Sequence, residues 1–338
     1  MSAVHAAPFD DALRLVWADE QIDHGDPRAE AISLESALPG LEADRQAHAR
    51  ARLASLLQTH GATWAGPLAP FLDLPRSTFR LGFLDTAVLS WRAAPRALRA
   101  LAAAPEWRTV RRVFFNWSAG GTDVARRRTP EAVTQLELLR RLPWLTGLGG
   151  VLPNVFLELD SLPPLTALHL RLAAPPAGPL LTRIHQLRSL ERLGLHVPAW
   201  APPQQMAPLW KPLLPPGLQL LSLECTGRAP GWVRLAKGLP VPRFAVQTPE
   251  LGNAWFLTRQ TRAGLQLDFY IPDAGYVAEG AVRVLEDLPT QDLSSVLVWT
   301  PGALLAEHDA RLKQALARFG KVEAAALEGR LRVHPVFD

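Results

Sequence analysis

The stretch Leu187–Val197, LRSLERLGLHV, limits the fold more than any other part of the chain. Its apolar side chains stand at Leu187, Leu190, Leu193, Leu195 and Val197. Steps of three followed by steps of two describe a turn feeding a short strand that buries alternate side chains. A single unit of this kind cannot cover its own hydrophobic face, so it requires stacked copies of itself. Copies are present: Leu142, Leu145, Leu148; Leu162, Leu165, Leu168, Leu170; and Leu218, Leu221, Leu223. Weaker ones follow at Val241, Phe244, Val246, at Leu265, Leu267, Phe269, and at Leu293, Val296, Val298. Positions 148, 168, 193, 221, 244, 265 and 296 are 20, 25, 28, 23, 21 and 31 residues apart. That is near the period of about 20–29 residues of leucine-rich repeats.

The repeat predicts an α/β fold, an irregular leucine-rich-repeat solenoid. The asparagine that usually ends each repeat is missing, with Ala173, Pro198 and Thr226 near its place. Without it the turns lack a side-chain ladder for their backbone groups, and a flattened, irregular array is expected. The 31 prolines point the same way, because proline ends helices and is excluded from central strands. Val155–Leu159 alternates like a strand but falls inside a short repeat, which places it on the convex side.

Residues 9–62 read as three short helices. Asp10 or Asp11 caps the first, with Ala12, Leu15, Val16 and Asp19 on one face, and Gly25 ends it. Asp26 and Pro27 open the second, which carries Ala31, Leu34 and Leu38; a third spans about Glu42–Gln58 and closes at Gly61. The run Asp11, Arg14, Leu15, Val16, Trp17, Ala18, Asp19, then Gly25, Asp26, Pro27, Arg28, Glu30, Ile32 and Leu34, resembles the bacterial repeat-companion domain, a module found ahead of leucine-rich repeats. Phe79–Leu89 is similar to the segment joining that module to its repeats. Glu20 stands where the family usually has an aromatic residue, and Ala29 where it has glycine. The resemblance implies an N-terminal helical cap and no activity. The organisation expected is a helical module over 1–62, a connector with the first strand–helix units over 63–141, and repeats with a C-terminal cap over 142–338. Within the connector, Phe79–Trp91 reads as one strand, Val110–Trp117 as the next with Val113 and Phe115 inward, and Thr129 with Pro130 as a helix start.

The residues favour a binding protein over an enzyme. No G-x-S-x-G, H-E-x-x-H, phosphate loop or cysteine pair occurs, so neither catalytic residues nor a cofactor is expected. The lone Cys225 falls at strand spacing after Leu221 and Leu223 and reads as a core thiol; it also fits a reducing compartment. His169 and His196 lie in different columns without a third ligand, and the aspartates of residues 10–26 read as caps and ion-pair partners, so no metal is expected. With no apolar run of about 18 residues and no basic, apolar leader, a cytoplasmic protein without a membrane anchor is expected.

Two surfaces could bind a partner. Three places after each inward position stand Arg171, His196, Glu224, Gln247, Asp268 and Trp299, a mixed-charge column on the concave sheet ending in a residue type enriched at binding hot spots. One place after stand His169, Gly194, Ser222, Ala245, Gln266 and Leu297. The favoured function is a scaffold that binds an unidentified protein partner through the first column. The alternative is an electrostatic binder of nucleic acid or an acidic ligand through Arg126, Arg127 and Arg128 with Arg111 and Arg112. Arginine excess makes the chain basic, at a net charge of +4, which by itself says little about nucleic acid.

Overall fold

The computed structural model describes residues 2–90, 95–115, 129–172, 178–197, 214–225, 239–247, 255–262, 264–270, 282, 285–286, 288, 293–300, 306–319 and 322–326. Parallel strands alternating with helices give a mixed α/β fold, divided into two compact units, Met1–Pro164 and Leu165–Asp338. No helix among the described residues is long and apolar enough to cross a membrane.

In the first unit the short helix α1 (Ser2–Ala6) precedes α2 (Asp11–Ile22). The Asp10 carboxylate accepts the N–H groups of Ala12 and Leu13 at 2.9 and 3.3 Å, satisfying donors that a helix start leaves orphaned. Asp26 caps α3 (Pro27–Ala37) in the same way, accepting from Arg28 at 2.8 Å. Both starts agree with the sequence expectation. The third helix does not: α4 runs from Ala43 to Ala65, through Gly61, and closes at Gly66. Gly61 faces the Phe79 ring, and a Cβ there would meet it at 3.7 Å, an ordinary van der Waals distance, so the position breaks neither the helix nor the packing.

The buried side of α2 also differs from expectation. Leu15 and Val16 are exposed, while Arg14 and Ala18 face inward; on α3 the inward residues include Arg28, Ala29 and Ile32. Arg14 and Arg28 each lie 5.1 Å from the centre of the Phe83 ring, where a cation is attracted to the aromatic face. Arg14 donates to the carbonyls of Arg80, at 3.1 Å, and Pro8; Arg28 donates to that of Trp64 at 3.3 Å. Burial pulls the Arg28 guanidinium down to about 10, partly offset by the nearby Asp26.

Phe83 reaches that position through a hairpin. The single strand expected over Phe79–Trp91 is two antiparallel ones, β1 (Thr78–Arg80) and β2 (Phe83–Leu89), because Leu81 and Gly82 both take positive φ, +46° and +70°. Two such residues make the tight turn whose twist matches a strand pair. The unfavourable conformation of Leu81 is held by burial of its side chain with Val4, Ala18, Ile32 and Phe83, and by its N–H, which donates to Glu35 Oε2 at 2.7 Å. Burial raises the Glu35 carboxyl above its ordinary value, against the lowering effect of that hydrogen bond.

β2 is followed in parallel by β3 (Arg112–Phe115) and β4 (Gly147–Val151). Val113 and Phe115 are buried, as the alternation predicts. The helix α5 (Pro95–Ala100) lies between β2 and β3, and α6 (Pro130–Leu139), capped by Thr129, lies between β3 and β4. The buried Gln135 of α6 donates to the Gly150 carbonyl at 3.3 Å and accepts from the Leu152 N–H at 3.2 Å, securing the end of β4. Beyond it, Val155–Leu159 is not a convex strand: Pro153 opens α7 (Pro153–Glu158), and Val155 and Phe156 are buried from it. The spacing of Val155, Phe156 and Leu159 fits a helical face as well as it fits alternation, and Pro153 decides between them.

In the second unit β5 (Ala167–Arg171), β6 (Arg192–Val197), β7 (Leu220–Cys225) and β8 (Arg243–Gln247) run parallel, with α8 (Gly178–His185) between β5 and β6. Register places Leu168, Leu193, Leu221 and Phe244 side by side, all buried. Next comes a strand that the repeat pattern does not contain. β9 (Trp255–Thr261) is antiparallel both to β8 and to β10 (Gly264–Tyr270). β11 (Leu293–Thr300) and β12 (Val322–Ala326) restore the parallel direction, and α9 (Ala306–Leu316) sends Leu312, Ala315 and Leu316 into a core with Phe256, Phe269 and Val298. The Arg126–Arg128 loop and the side chains of Cys225 and Trp299 lie outside the described residues.

Two substitution tests follow. Leu193→Ala is expected to cost about 2–5 kcal/mol, as for other buried leucines, and Arg192→Ala, one place along on the opposite face, less than about 0.5 kcal/mol. Equal shifts in the urea midpoint would mean that the inward face is misassigned. Gly150 has φ of +68°, and a Cβ there would lie 2.1 Å from the Phe115 carbonyl oxygen, whereas Gly25, at φ +70°, has open space around it. Gly150→Ala should therefore lower the melting temperature far more than Gly25→Ala, whose strain is about 1 kcal/mol; comparable losses would rule out close backbone approach as the reason for Gly150.

Candidate functional site

Side chains on a strand alternate, so the leucines of β5–β8 leave a second face made of the residues between them. The sheet register arranges this face in rows. One row is Arg171, His196, Glu224 and Gln247, on four adjacent strands, as the sequence column predicts. Asp268 does not belong to it. Leu267, and not Leu265, pairs with Val296, and the reversed strand β9 stands between Gln247 and β10. Counting from Leu265 therefore slips the column by one side-chain pair. Tyr270 takes the place given to Asp268, since it pairs with Trp299 across to β11 and with Trp255 on β9.

Glu224 is the centre of the row. Its Oε2 lies 3.2 Å from His196 Nδ1 and 3.9 Å from His169 Nε2. Burial lowers the Arg171 guanidinium, and the Glu224 charge works in the opposite direction. One carboxylate thus serves two imidazoles and one guanidinium on the two strands before it. The histidines do lie in different columns, as expected, but converge on a common acid. Among the described residues no group of three or more histidine, cysteine, aspartate or glutamate side chains is placed to hold a metal ion.

The next row is a floor of small and buried residues: His169, Gly194, Ser222, Ala245, Leu257 and Asp268. Asp268 is fully buried. Its Oδ2 is 2.5 Å from Arg259 Nη2, and its Oδ1 accepts from Gln266 Nε2 at 2.8 Å. Burial and then the Asp268 charge raise the Tyr270 hydroxyl above its ordinary value, offset in part by a hydrogen bond with Arg259. β9 is what permits this arrangement, because the reversed strand brings Arg259 beside Gln266, diagonally across from Asp268.

The third row is Ala167, Arg192, Leu220, Arg243, Arg259 and Gln266. Neither sequence column included its arginines. They stand one place before the inward residues Leu193 and Phe244, so a column read backward from each inward position would have found Arg192 and Arg243. Of the alternative basic patch only Arg111 and Arg112 fall among the described residues. Arg112 pairs with Asp85 at 2.9 Å, and Arg111 lies 3.7 Å from the same carboxylate and 5.0 Å from the centre of the Phe9 ring. Two of its five arginines are thereby committed within the first unit.

No family model, curated protein or solved structure matches this chain. The face of β5–β10 must be interpreted on its own chemistry: a charge-balanced row centred on Glu224, a buried floor, and a row rich in arginine.

The Arg259–Asp268 pair makes an asymmetric prediction. Arg259 is two-fifths exposed and Asp268 fully buried. Arg259→Ala leaves a buried carboxylate without its cation and should cost about 3–5 kcal/mol. Asp268→Asn leaves an arginine able to reach water and should cost about 1–3 kcal/mol. Urea denaturation of the two variants gives the order directly, and the opposite order would show that the carboxylate is hydrated.

Proposed function

We propose that this chain is a non-enzymatic protein-interaction scaffold, an irregular leucine-rich-repeat solenoid with an N-terminal repeat-companion module, which binds its partner through the sheet face of Arg171, His196, Glu224 and Gln247. The observation that carries this reading is register: equivalent positions of successive repeats, 25, 28 and 23 residues apart in sequence, pair directly across β5–β8. A repeat that stacks in register turns one side-chain position into a continuous row, which is how a repeat protein builds an extended binding surface. The row mixes a guanidinium, an imidazole, a carboxylate and an amide, polar groups suited to a polar protein surface. Backbone positions in it are about 4.8 Å apart, so it spans several residues of a partner. The lone Cys225 supports a reducing, cytoplasmic setting for such a complex.

The test is a charge exchange. Arg171→Glu combined with Glu224→Arg preserves opposite charges flanking His196, and so preserves the internal pairing, while reversing the pattern presented to a partner. Folding should be retained, as judged by an unchanged cooperative melt, and capture of the native partner from cell extract should be lost. A well-folded double variant that still captures the partner would remove the site from this row.

A further inference from the structure

We propose that Arg192 and Arg243 dock an acidic segment of a partner protein lying across the strands, with two carboxylates three residues apart in polyproline II conformation. This rests on the reading of the sheet face as the interaction surface, and gives it a ligand chemistry.

Among the described residues the charges on this face of β5–β10 do not balance, and the imbalance is localised. Glu224 is committed to His196, His169 and Arg171, and Asp268 to Arg259 and Gln266. Arg192 is partly exposed and Arg243 exposed, and neither makes an ion pair among the described residues, although Glu191 directly precedes the first. Both occupy one register row, on either side of Leu220, which is itself buried with Ala245, Leu257 and Tyr270. The row therefore offers two cations separated by an apolar step. Arg259 stands next to Arg243 but is already held by Asp268, which ends the series of available guanidiniums.

Spacing selects the ligand. Arg192 and Arg243 are two strands apart, about 9.6 Å between backbones. A polyproline II segment has three residues per turn and rises about 3.1 Å per residue, so side chains at i and i+3 share one side about 9.3 Å apart. In a β-extended segment, side chains on one side recur about every 6.7 Å, which does not match. Acidic residues at i and i+3 of a proline-rich segment would meet both guanidiniums, each able to form a paired, charge-assisted contact. Such a segment is already extended before binding and loses little conformational entropy on docking.

The probe is a fluorescein-labelled peptide with glutamates three residues apart in a proline background, titrated by fluorescence anisotropy into the full chain at low millimolar concentrations. Binding should weaken about two- to five-fold in Arg192→Gln and again in Arg243→Gln, as for exposed ion pairs, and the double variant should approach the affinity of a peptide with both glutamates replaced by glutamine. A peptide with glutamates two residues apart should bind less well than the three-spaced one. An unchanged melt keeps the variants interpretable. Equal binding of the glutamate and glutamine peptides, indifference to both substitutions, or no preference for the three-residue spacing would each overturn the proposal. So would tighter binding of an equally charged single-stranded oligonucleotide, which would assign the row to phosphate. Loss of native capture in the Arg171/Glu224 exchange together with no peptide binding would leave the scaffold standing and remove the acidic ligand. Peptide binding that depends on Arg192 and Arg243 in a chain whose exchange variant still captures its partner would do the reverse.

Discussion

The second unit depends on strand register. Leu168, Leu193, Leu221 and Phe244 are buried because they occupy equivalent positions on adjacent parallel strands. A slip of one residue on any of these strands would turn its leucines outward and its polar residues into the core, so burial strongly specifies the pairing. The opposite face inherits the same precision. Nothing in Arg171, His196, Glu224 and Gln247 needs to find its neighbour independently, because the leucines on the other side have already aligned them. The reversed strand β9 respects this rule: Phe256 joins the core, while Leu257 and Arg259 go to the other face with Asp268 and Gln266.

The first unit reaches order by a different route. The inward residues of α2 and α3 are alanines, Ile32 and two arginines, and the guanidiniums of Arg14 and Arg28 both lie close to the Phe83 ring. Small residues permit close helix approach, and the long arginine stems fill the remaining volume while their charged ends are satisfied by carbonyls and the aromatic face. This accounts for the exposed Leu15 and Val16: the side of α2 that carries them is not the side that meets Phe83. It also explains why the turn at Leu81 and Gly82 is held so firmly, since Phe83 follows it directly and a looser hairpin would displace the ring from both cations.

The parts that were legible in the sequence were those governed by periodicity and capping. Asp10, Asp26 and Thr129 cap the helices they were expected to cap, and the strands around Leu168, Leu193, Leu221 and Phe244 lie where alternation places them. What escaped was governed by contacts between distant residues. The inward direction of Arg14 is set by Phe83, some seventy positions later, and no hydrophobic pattern scores an arginine as core. β9 carries Thr258, Arg259 and Gln260 among its apolar residues and has no leucine step, so it was invisible to a search for repeats. Missing it moved Asp268 into the wrong row, because a column read by counting depends on every strand before it. Val155–Leu159 failed for another reason: a short apolar run satisfies both periods, and only Pro153 favours the helix.

The distribution of charge over the β5–β10 face separates two roles that electrostatics can play in recognition. A carboxylate set beside two imidazoles and offset by the charge of Arg171, as Glu224 is, has little net field to attract anything from a distance, but it fixes the direction in which His196 presents its remaining ring nitrogen. Such an arrangement discriminates at contact, because a wrong partner leaves those groups unpaired and desolvated. A pair without an ion-pair partner among the described residues, as Arg192 and Arg243 are, projects a positive field, which speeds encounter with an acidic partner while adding modest affinity at an exposed site. The two rows are parallel and separated by a floor of small buried side chains, so one ligand lying across the strands can engage both. A chain that spent all of its arginines on internal acids would keep such contact discrimination and lose the steering; two arginines left out of the ion pairs among the described residues are what the proposed acidic partner would meet on this face.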